Sequence, residues 1–266
     1  MILDKFRIDG KVAVVTGGTK GIGKAIAIAL AEAGADIAVV SRTPSEEVER
    51  AVLALGRRYT HHGADLIKRE ETKAVIPAVL EKMGDVDILV NSSGICPRSP
   101  AKDFPESDWD ATLEIDLSAS FILGQAAGRI MLEKGSGKIV NIASVLAFQG
   151  GINIPAYVAS KHGVAGLTKA LANEWAGKGV NVNAIAPGYI ATEFIGALMK
   201  DSVRSKALLE RTPAGRYGEP EEIAAATLYL ASPASDYVHG SMLTVDGGWM
   251  GRKFSILEIP VFSVGS

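Results

Sequence analysis

Tyr157 and Lys161 lie four positions apart in a segment that reads as a long helix, and Ser144 precedes them in the chain. Positions i and i+4 share one face of a helix, so the lysine ammonium would lie beside the phenol. A neighbouring positive charge favours the phenolate, and we expect it to lower the Tyr157 pKa from about 10 towards neutral pH. Tyr157 would then exchange a proton with an alcohol or carbonyl oxygen, and Ser144 would stabilise charge developing on that oxygen.

A glycine-rich turn, TGGTKGIG at residues 16–23, separates a predicted strand from a predicted helix. Glycine permits the tight turn and lets the backbone approach a diphosphate. The helix that follows directs free N–H groups and its positive dipole end at that anion. Strand, turn and helix in this order predict a dinucleotide-binding unit, and a nicotinamide dinucleotide would supply the hydride for chemistry at Tyr157.

Ser41 and Arg42, at the end of the second predicted strand, indicate which dinucleotide is preferred. An acidic residue at this place would bond the ribose 2′-hydroxyl of NAD. A hydroxyl followed by a guanidinium would instead accept a 2′-phosphate, and Lys20 in the glycine turn would add a second positive charge. We therefore expect a preference for NADP(H), with NAD(H) as the alternative cofactor.

Strands and helices alternate along nearly the whole sequence, which predicts an α/β fold with a parallel sheet between two layers of helices. Predicted strands cover residues 11–16, 36–40, 87–91, 138–143, 180–186 and 242–245, and predicted helices cover 22–33, 45–55, 107–133, 155–176 and 220–230. Ser107 is the expected N-cap of the third helix. Gly17, Asn91, Ser144 and Pro187 follow predicted strands, so they should meet at the ligand-binding carboxyl edge of the sheet.

The composition of the chain limits the class of protein and the partners to be expected. The chain has 266 residues, of which 47% are apolar, and its formal net charge is −2, which gives no reason to expect a nucleic-acid or membrane partner. A single cysteine, Cys96, excludes a disulfide framework, and four histidines make a metal site improbable. The absence of an apolar leader or spanning segment predicts a cytoplasmic protein. One domain, 1–251, is expected, followed by an apolar tail, 252–266, that either docks or frays.

Seven features taken in order resemble the short-chain dehydrogenase/reductase family, over residues from about 11 to 248. They are TGGTKGIG (16–23), Asp65, NSSG (91–94), Ser144, the YxxxK pair of Tyr157 and Lys161, PG (187–188) with Thr192, and VDGG (245–248). The resemblance implies a single-domain, Rossmann-type, doubly wound sheet of seven parallel strands in the order 3-2-1-4-5-6-7. It also implies a homotetramer.

By the same resemblance, Ser144, Tyr157 and Lys161 are catalytic, and Thr192 contacts the carboxamide of the cofactor. The residues expected to bind the cofactor are Gly17, Thr19, Lys20, Gly21, Ile22, Gly23, Ser41, Arg42, Asp65, Leu66, Asn91, Gly94, Tyr157, Lys161, Pro187, Gly188, Ile190 and Thr192.

Asp116 departs from the family pattern, which usually has Asn here to help hold a water of a proton relay beside the lysine. An ionised Asp only accepts hydrogen bonds, so it would raise the Lys161 pKa and disturb the relay. Alternatively, the backbone holds the water and the activity survives. If the relay is disabled, the chain would be a protein that binds NADP(H) with little catalysis.

The substrate is the least determined part of the site. Residues 192–218 are expected to form a helical lid. Its cations, Lys200, Arg204, Lys206, Arg211 and Arg216, are candidates for binding a substrate carboxylate, with a solvated helix face as the alternative. The candidate substrate contacts are Ser144, Leu146, Gln149, Arg98 and Arg204. Several segments resemble the sugar-acid dehydrogenases of the family, which predicts a sugar acid or a keto-sugar acid as substrate. The alternative enzyme is a 3-oxoacyl-carrier-protein-type carbonyl reductase, which would need a basic patch that the sequence does not show.

Overall fold

A computed structural model describes residues 1–251. Its central feature is a seven-stranded parallel sheet in the order β3-β2-β1-β4-β5-β6-β7, which confirms the predicted fold and strand order. The strands are β1 (Val12–Thr16), β2 (Asp36–Ser41), β3 (Tyr59–Gly63), β4 (Ile88–Asn91), β5 (Gly137–Ile142), β6 (Val180–Pro187) and β7 (Met242–Val245). The predicted tail, 252–266, lies outside the described residues.

The helices cover both faces of the sheet, as predicted. They are α1 (Gly21–Glu32), α2 (Glu46–Ala54), α3 (Arg69–Met83), α4 (Glu106–Leu113), α5 (Ala119–Lys134), α6 (Pro155–Trp175), α7 (Gly196–Lys200), α8 (Ser202–Arg211) and α9 (Pro220–Ala231). On one face α1 packs against α2 and α9, and on the other α5 packs against α3 and α6. Each layer closes over its own apolar core, because strands buried on both faces are apolar throughout.

Two elements, β3 and α3, are absent from the strands and helices predicted from the sequence pattern. The β3 segment reads YTHHG and is only partly buried, because it lies at the edge of the sheet. The α3 helix has many charged residues and contains Pro77. A polar edge strand and a helix interrupted by proline lack the apolar periodicity on which such predictions rest.

The long helix predicted over 107–133 is instead two helices joined by a π-turn, Glu114–Ser118, in which the Ala119 N–H donates to the Glu114 carbonyl five residues back. The predicted N-cap is also wrong, because α4 begins at Glu106 with Pro105 at the N-cap. The fixed φ of proline sets the start of the helix, so Ser107 falls within its first turn.

The sheet places the ends of β1 and β4 side by side, where the order of the strands reverses, and this is the point at which open α/β sheets form a ligand cleft. None of the helices in residues 1–251 is both long and apolar enough to span a bilayer. The same residues contain no cluster of His, Cys, Asp and Glu side chains that would hold a metal ion.

Candidate active site

The structure brings Ser144, Tyr157 and Lys161 together at the carboxyl edge of the sheet. Tyr157 lies in the first turn of α6, and the Lys161 Nζ lies 5.3 Å from the centre of its ring. Lys161 is only 4% exposed and donates to the Ile142 carbonyl at the end of β5, at 3.1 Å. Ser144 follows that strand, and its Oγ accepts from the Leu146 N–H at 3.1 Å, so its own O–H remains a donor, which here acts on the Tyr157 phenol.

Asp116 lies in the π-turn and is 1% exposed. Its Oδ2 is 3.2 Å from the Lys161 Nζ, and its Oδ1 accepts from the Ile95 N–H at 2.9 Å. The Ser160 hydroxyl donates more weakly to Oδ2, at 3.4 Å. The carboxylate therefore joins the π-turn to α6 through a buried ion pair and to the loop after β4 through a hydrogen bond. Its backbone carbonyl accepts from the Ser120 hydroxyl at 3.0 Å.

These contacts change the acid–base properties of the pair expected to be catalytic. Burial raises the pKa of the Tyr157 phenol, and Asp116 raises it further, while Lys161 and Ser144 act in the opposite direction. The net shift is upward, so the expectation of a lowered Tyr157 pKa is wrong in sign. Burial and the Asp116 charge, which offsets that of the lysine, together outweigh the effect of Lys161.

Lys161 behaves as expected from its neighbour. Burial lowers its pKa, but the charge of Asp116 and its hydrogen bond outweigh burial and leave the Lys161 pKa raised. For the Asp116 carboxyl, burial penalises the charged form and raises the pKa. This effect outweighs the opposing effects of Lys161 and the Ile95 N–H.

The glycine turn has the shape that a dinucleotide needs. Gly17 has a φ of +66°, which only glycine adopts readily, and a Cβ at Gly23 would overlap the Gly17 carbonyl oxygen. The N-cap of α1 is Lys20, whose side chain does not cap the helix, so the first-turn N–H groups keep no side-chain acceptor. A diphosphate would fill that role, and the residues present fit the cofactor.

The neighbouring loop is fixed to this turn. The Thr16 hydroxyl accepts from the N–H groups of Ser92 and Ser93, each at 3.0 Å. Asn91 is buried and donates to the Asn141 Oδ1 at 2.8 Å, but its own Oδ1 has no hydrogen-bond partner within the described part of the chain. An unpartnered buried oxygen beside the glycine turn is a second observation that suits a bound donor group.

At the expected 2′-phosphate position, Arg42 is exposed, and nothing in residues 1–251 forms an ion pair with it. The Ser41 hydroxyl donates to the Thr43 carbonyl at 2.7 Å, and the His61 Nε2 lies 3.0 Å from the same hydroxyl. Lys20 is not free, since its Nζ lies 3.4 Å from Glu193. Asp65 is partly buried, and its Oδ1 accepts from the Ile67 N–H at 3.3 Å.

The remaining cofactor candidates lie around the same cleft. Gly94 packs against Asp116, Gly188 donates to the Val245 carbonyl, and Thr192 lies beside Gly21. The apolar residues Leu66, Pro187 and Ile190 are buried.

Residues 192–218 contain α7 and α8, and the Phe194 ring lies 6.1 Å from that of Tyr157. Among the substrate candidates, Leu146 and Gln149 are partly buried near Ser144, while Arg98 and Arg204 are exposed. The closest ion-pair distance of Arg204 is 4.0 Å, to Asp201. Burial raises the pKa of the Cys96 thiol, which keeps this partly buried cysteine in its unreactive form.

Sequence reasoning missed a line of buried polar residues beneath the site. Asn141 donates to Thr168 at 3.0 Å, and Thr168 donates to the Val164 carbonyl at 2.8 Å. It also missed His61, which contacts Ser41, and Ser160, which contacts Asp116. A polar residue between the apolar positions of a buried helix, as at Ser160 and Thr168, is the signal that could have found two of them.

Residues 17–250 match a short-chain dehydrogenase family model described as Enoyl-(Acyl carrier protein) reductase. The chain is 51% identical over 250 residues to a 2-dehydro-3-deoxy-D-gluconate 5-dehydrogenase of Bacillus subtilis, which covers 94% of this chain and 98% of that protein. The chain belongs to the short-chain dehydrogenase/reductase family. It is thus an oxidoreductase, as the residues at the edge of the sheet predicted.

Solved structures of other short-chain dehydrogenases share this fold. One from Agrobacterium tumefaciens, a proposed 2-deoxy-D-gluconate 3-dehydrogenase with bound NADP, is 48% identical with a TM-score of 0.88, covering 93% of this chain and 99% of its own. Another, a gluconate 5-dehydrogenase from Burkholderia cenocepacia in complex with NADP and tartrate, is 40% identical with a TM-score of 0.89, covering 94% and 99%.

Proposed function

We propose that the protein is an NADP(H)-dependent dehydrogenase that interconverts a hydroxyl and a keto group on a sugar acid. The observation that carries the proposal is the convergence of Ser144, Tyr157 and Lys161 beside the glycine turn, with Lys161 5.3 Å from the centre of the Tyr157 ring. The similar proteins described above are named as dehydrogenases of gluconate, of 2-deoxy-D-gluconate (a proposed one) and of 2-dehydro-3-deoxy-D-gluconate, and this supports the class of substrate.

The proton moves through Tyr157. In reduction the phenol donates its proton to the carbonyl oxygen, and in oxidation the phenolate accepts the proton of the alcohol. The Ser144 O–H donates to the same oxygen and stabilises the charge that develops on it. The nicotinamide, when bound, supplies or receives the hydride. Because the Tyr157 pKa is raised, the phenol is ready to donate at neutral pH, and oxidation needs alkaline pH.

The preference for NADP(H) rests on charge at the end of β2. Arg42 is exposed and forms no ion pair within the described residues. Position 41 is a serine and not an acidic residue, so no carboxylate there would repel a phosphate. Arg and phosphate form short, charge-assisted hydrogen bonds. The two similar structures described above contain NADP, which supports the same choice here.

Turnover with a panel of substrates tests this proposal. We expect oxidation of gluconate or a deoxygluconate with NADP, or reduction of a keto-sugar acid with NADPH, followed by the absorbance of the reduced nicotinamide. Tyr157→Phe should abolish turnover, while the variant still binds NADPH. Turnover only with β-ketoacyl thioesters would favour a carrier-protein reductase. Tight NADPH binding with no turnover of any substrate would favour a binding protein in which Asp116 disables the relay.

We also propose that the chain forms a homotetramer in the cytoplasm. Support for assembly comes from an exposed groove of about 820 Å³ between α3, α5 and α6, whose lining includes the apolar Leu117, Phe121 and Leu167 and the charged Arg69, Lys73 and Arg129. Light scattering on the purified protein should give four times the 27.9 kDa of one chain, and a monomer would contradict the proposal. Support for the location is the single cysteine, Cys96; fractionation of producing cells would test it.

A further inference from the structure

The substrate proposed above is an anion, so its site needs a cationic side chain that does not already form an ion pair with a carboxylate of the protein. Most cations of the segment from 192 to 218 are engaged. Arg216 forms a two-pronged pair with Glu222 at 2.6 and 2.8 Å, Lys206 lies 3.9 Å from Glu210, and Arg204 lies 4.0 Å from Asp201. Arg211 at the end of α8 and Lys200 at the end of α7 form no ion pair within residues 1–251, and of these two only Arg211 stacks on an aromatic ring there.

Arg211 is nevertheless held in a fixed orientation. Its guanidinium lies 4.3 Å from the centre of the Trp249 ring, and the rings of Trp249 and Tyr189 pack edge to face at a centroid distance of 5.0 Å. A planar cation stacked on an aromatic ring loses little further freedom when it binds a ligand. The stack therefore presents a preorganised guanidinium rather than a mobile surface charge.

The stack lies next to the catalytic residues. Trp249 packs in one apolar cluster with Leu208 of α8 and with Val145, the residue after Ser144. Tyr189 follows the Pro187-Gly188 pair at the end of β6, on the same edge of the sheet as Ser144. A small molecule with one end at Ser144 would thus have its other end near Arg211.

The surroundings of Tyr189 and Trp249 suit an anion. Trp249 is 7% exposed, and its Nε1 donor has no acceptor within the described residues. Burial raises the pKa of the Tyr189 phenol, while the charges of Arg211, Arg98 and Arg204 oppose it. Three guanidinium groups therefore act on one phenolic oxygen, beside a buried N–H that lacks a partner. A carboxylate would satisfy both the charge and the donor.

We propose that Arg211, stacked on Trp249, binds the carboxylate of the substrate and so selects sugar acids over neutral sugars. This inference rests on the proposed dehydrogenase function and adds a residue to it. Among the candidate cations of residues 192–218, it selects Arg211 at the C-terminal end of α8 over Arg204, which faces Asp201. Arg98, on the loop after β4, is a second guanidinium whose charge acts on Tyr189.

Arg211→Met is the variant to test, because it removes the charge and keeps an unbranched side chain over the Trp249 ring. Lys206→Met, on the same helix, is the matched control. The substrates are the sugar acid that the parent oxidises best and the neutral polyol of the same chain length. We expect kcat/KM for the acid to fall about 30-fold or more, as for loss of a charged hydrogen bond, with the polyol and the control changed by less than about threefold.

An equal loss with acid and polyol would overturn the inference, because it would mean that Arg211 only holds the segment in place. No loss with either would overturn it as well. Calorimetry with tartrate in the presence of NADP provides a readout that needs no turnover: we expect binding to the parent and to Lys206→Met, and a large loss in Arg211→Met. If the parent binds tartrate through Arg211 but oxidises no sugar acid, the proposed function fails and the carboxylate site stands.

Discussion

At the scale of single residues, Asp116 sets the balance of charge around Tyr157 and Lys161. A lysine beside a phenol helps the phenolate only if its charge is not cancelled by a nearer anion. Here the Asp116 Oδ2 lies 3.2 Å from the Lys161 Nζ, and both groups are buried. Cys96 and Tyr157 are the other titratable groups that act on Lys161. The charges of Asp116 and Lys161 nearly cancel at the Tyr157 hydroxyl, so the phenol keeps its proton to higher pH.

Asp116→Asn should shift the pH profile of the reaction to lower pH. Asp116 raises the pKa of Tyr157 and also that of Lys161, so its removal lowers both. The acid limb, where Tyr157 must lose its proton for oxidation, and the alkaline limb, where Lys161 loses its own, then move the same way. We expect several-fold faster oxidation at neutral pH in kcat profiles.

Asp110→Asn is the control for this change, because Asp110 is exposed on α4 and its loss should leave the profile in place. A profile of Asp116→Asn that superimposes on that of the parent would show that the carboxylate does not set the acid–base chemistry. A collapse of kcat at every pH would show instead that the carboxylate is needed for the relay.

Arg42→Asp should reverse the choice of cofactor. It removes a guanidinium that would bond a 2′-phosphate, worth about 1.5–3 kcal/mol, and places an anion beside it. We expect NADPH affinity, measured by nucleotide fluorescence, to fall at least tenfold while NADH affinity holds or improves. Arg50→Asp, an equally exposed arginine on α2, should alter neither. Unchanged affinities for both nucleotides in Arg42→Asp would place the phosphate elsewhere.

At the scale of elements, α5 and α6 approach each other so closely that one position admits only glycine. A Cβ at Gly128 would lie 2.6 Å from the Trp175 ring, whereas a Cβ at Gly124, one turn earlier, would meet Leu171 at an ordinary 3.7 Å. The contact matters for function because α6 carries Tyr157 and Lys161.

Gly128→Ala should destabilise the protein by about 1–3 kcal/mol, since the buried Trp175 ring cannot move aside without disturbing the core. Gly124→Ala should be neutral or stabilise by up to about 1 kcal/mol through helix propensity. Thermal unfolding of the two variants tests the difference, at about 2–4 °C of Tm for each kcal/mol. Equal Tm values would mean that the two helices separate at little cost.

The elements differ in how far the sequence could predict them. The strand β1 and its glycine turn were predictable, because an apolar run, a turn and a helix are local patterns. The split of the predicted helix over 107–133 was not, because the π-turn is stabilised by contacts with distant residues, namely Ile95 and Lys161 on Asp116. Arg211 was among the candidate cations of residues 192–218, but its stacking on the remote Trp249 could not be predicted. The resemblance placed Ser144, Tyr157 and Lys161 and indicated that Asp116 raises the Lys161 pKa, but it did not show that Asp116 also raises the pKa of Tyr157.

At the scale of the whole molecule, Asp87 joins three parts of the fold. Its carboxylate accepts from the Val12 N–H of β1 at 2.9 Å, from Lys134 at the end of α5 at 2.8 Å and from Lys11 at 3.2 Å. Burial acts to raise the Asp87 pKa, but these hydrogen bonds outweigh it and leave the pKa lowered. A lowered folded-state pKa stabilises the fold above about pH 4, the ordinary value for Asp, and that stabilisation disappears as the carboxylate protonates below it.

Asp87→Asn should therefore lower the free energy of unfolding by about 1–3 kcal/mol at neutral pH and by less in acid. Urea unfolding of parent and variant at several pH values measures this convergence. Asp103→Asn removes an exposed carboxylate whose nearest cation is 3.9 Å away, and should leave the curve of stability against pH unchanged. A difference between Asp87→Asn and the parent that persists below the Asp pKa would mean that packing rather than charge is lost.

The π-turn at Glu114–Ser118 also constrains which insertions and deletions this chain can tolerate. It holds one residue more than an α-helical turn, so deleting one residue there would restore a continuous α-helix and keep the rest of α5 on its present face. Leu123, Ala127 and Met131 would stay in the core, whereas Asp116 would lose its place beside Lys161. The bulge is thus separable from the fold: its loss would remove the placement of this carboxylate and leave the packing of α5 intact.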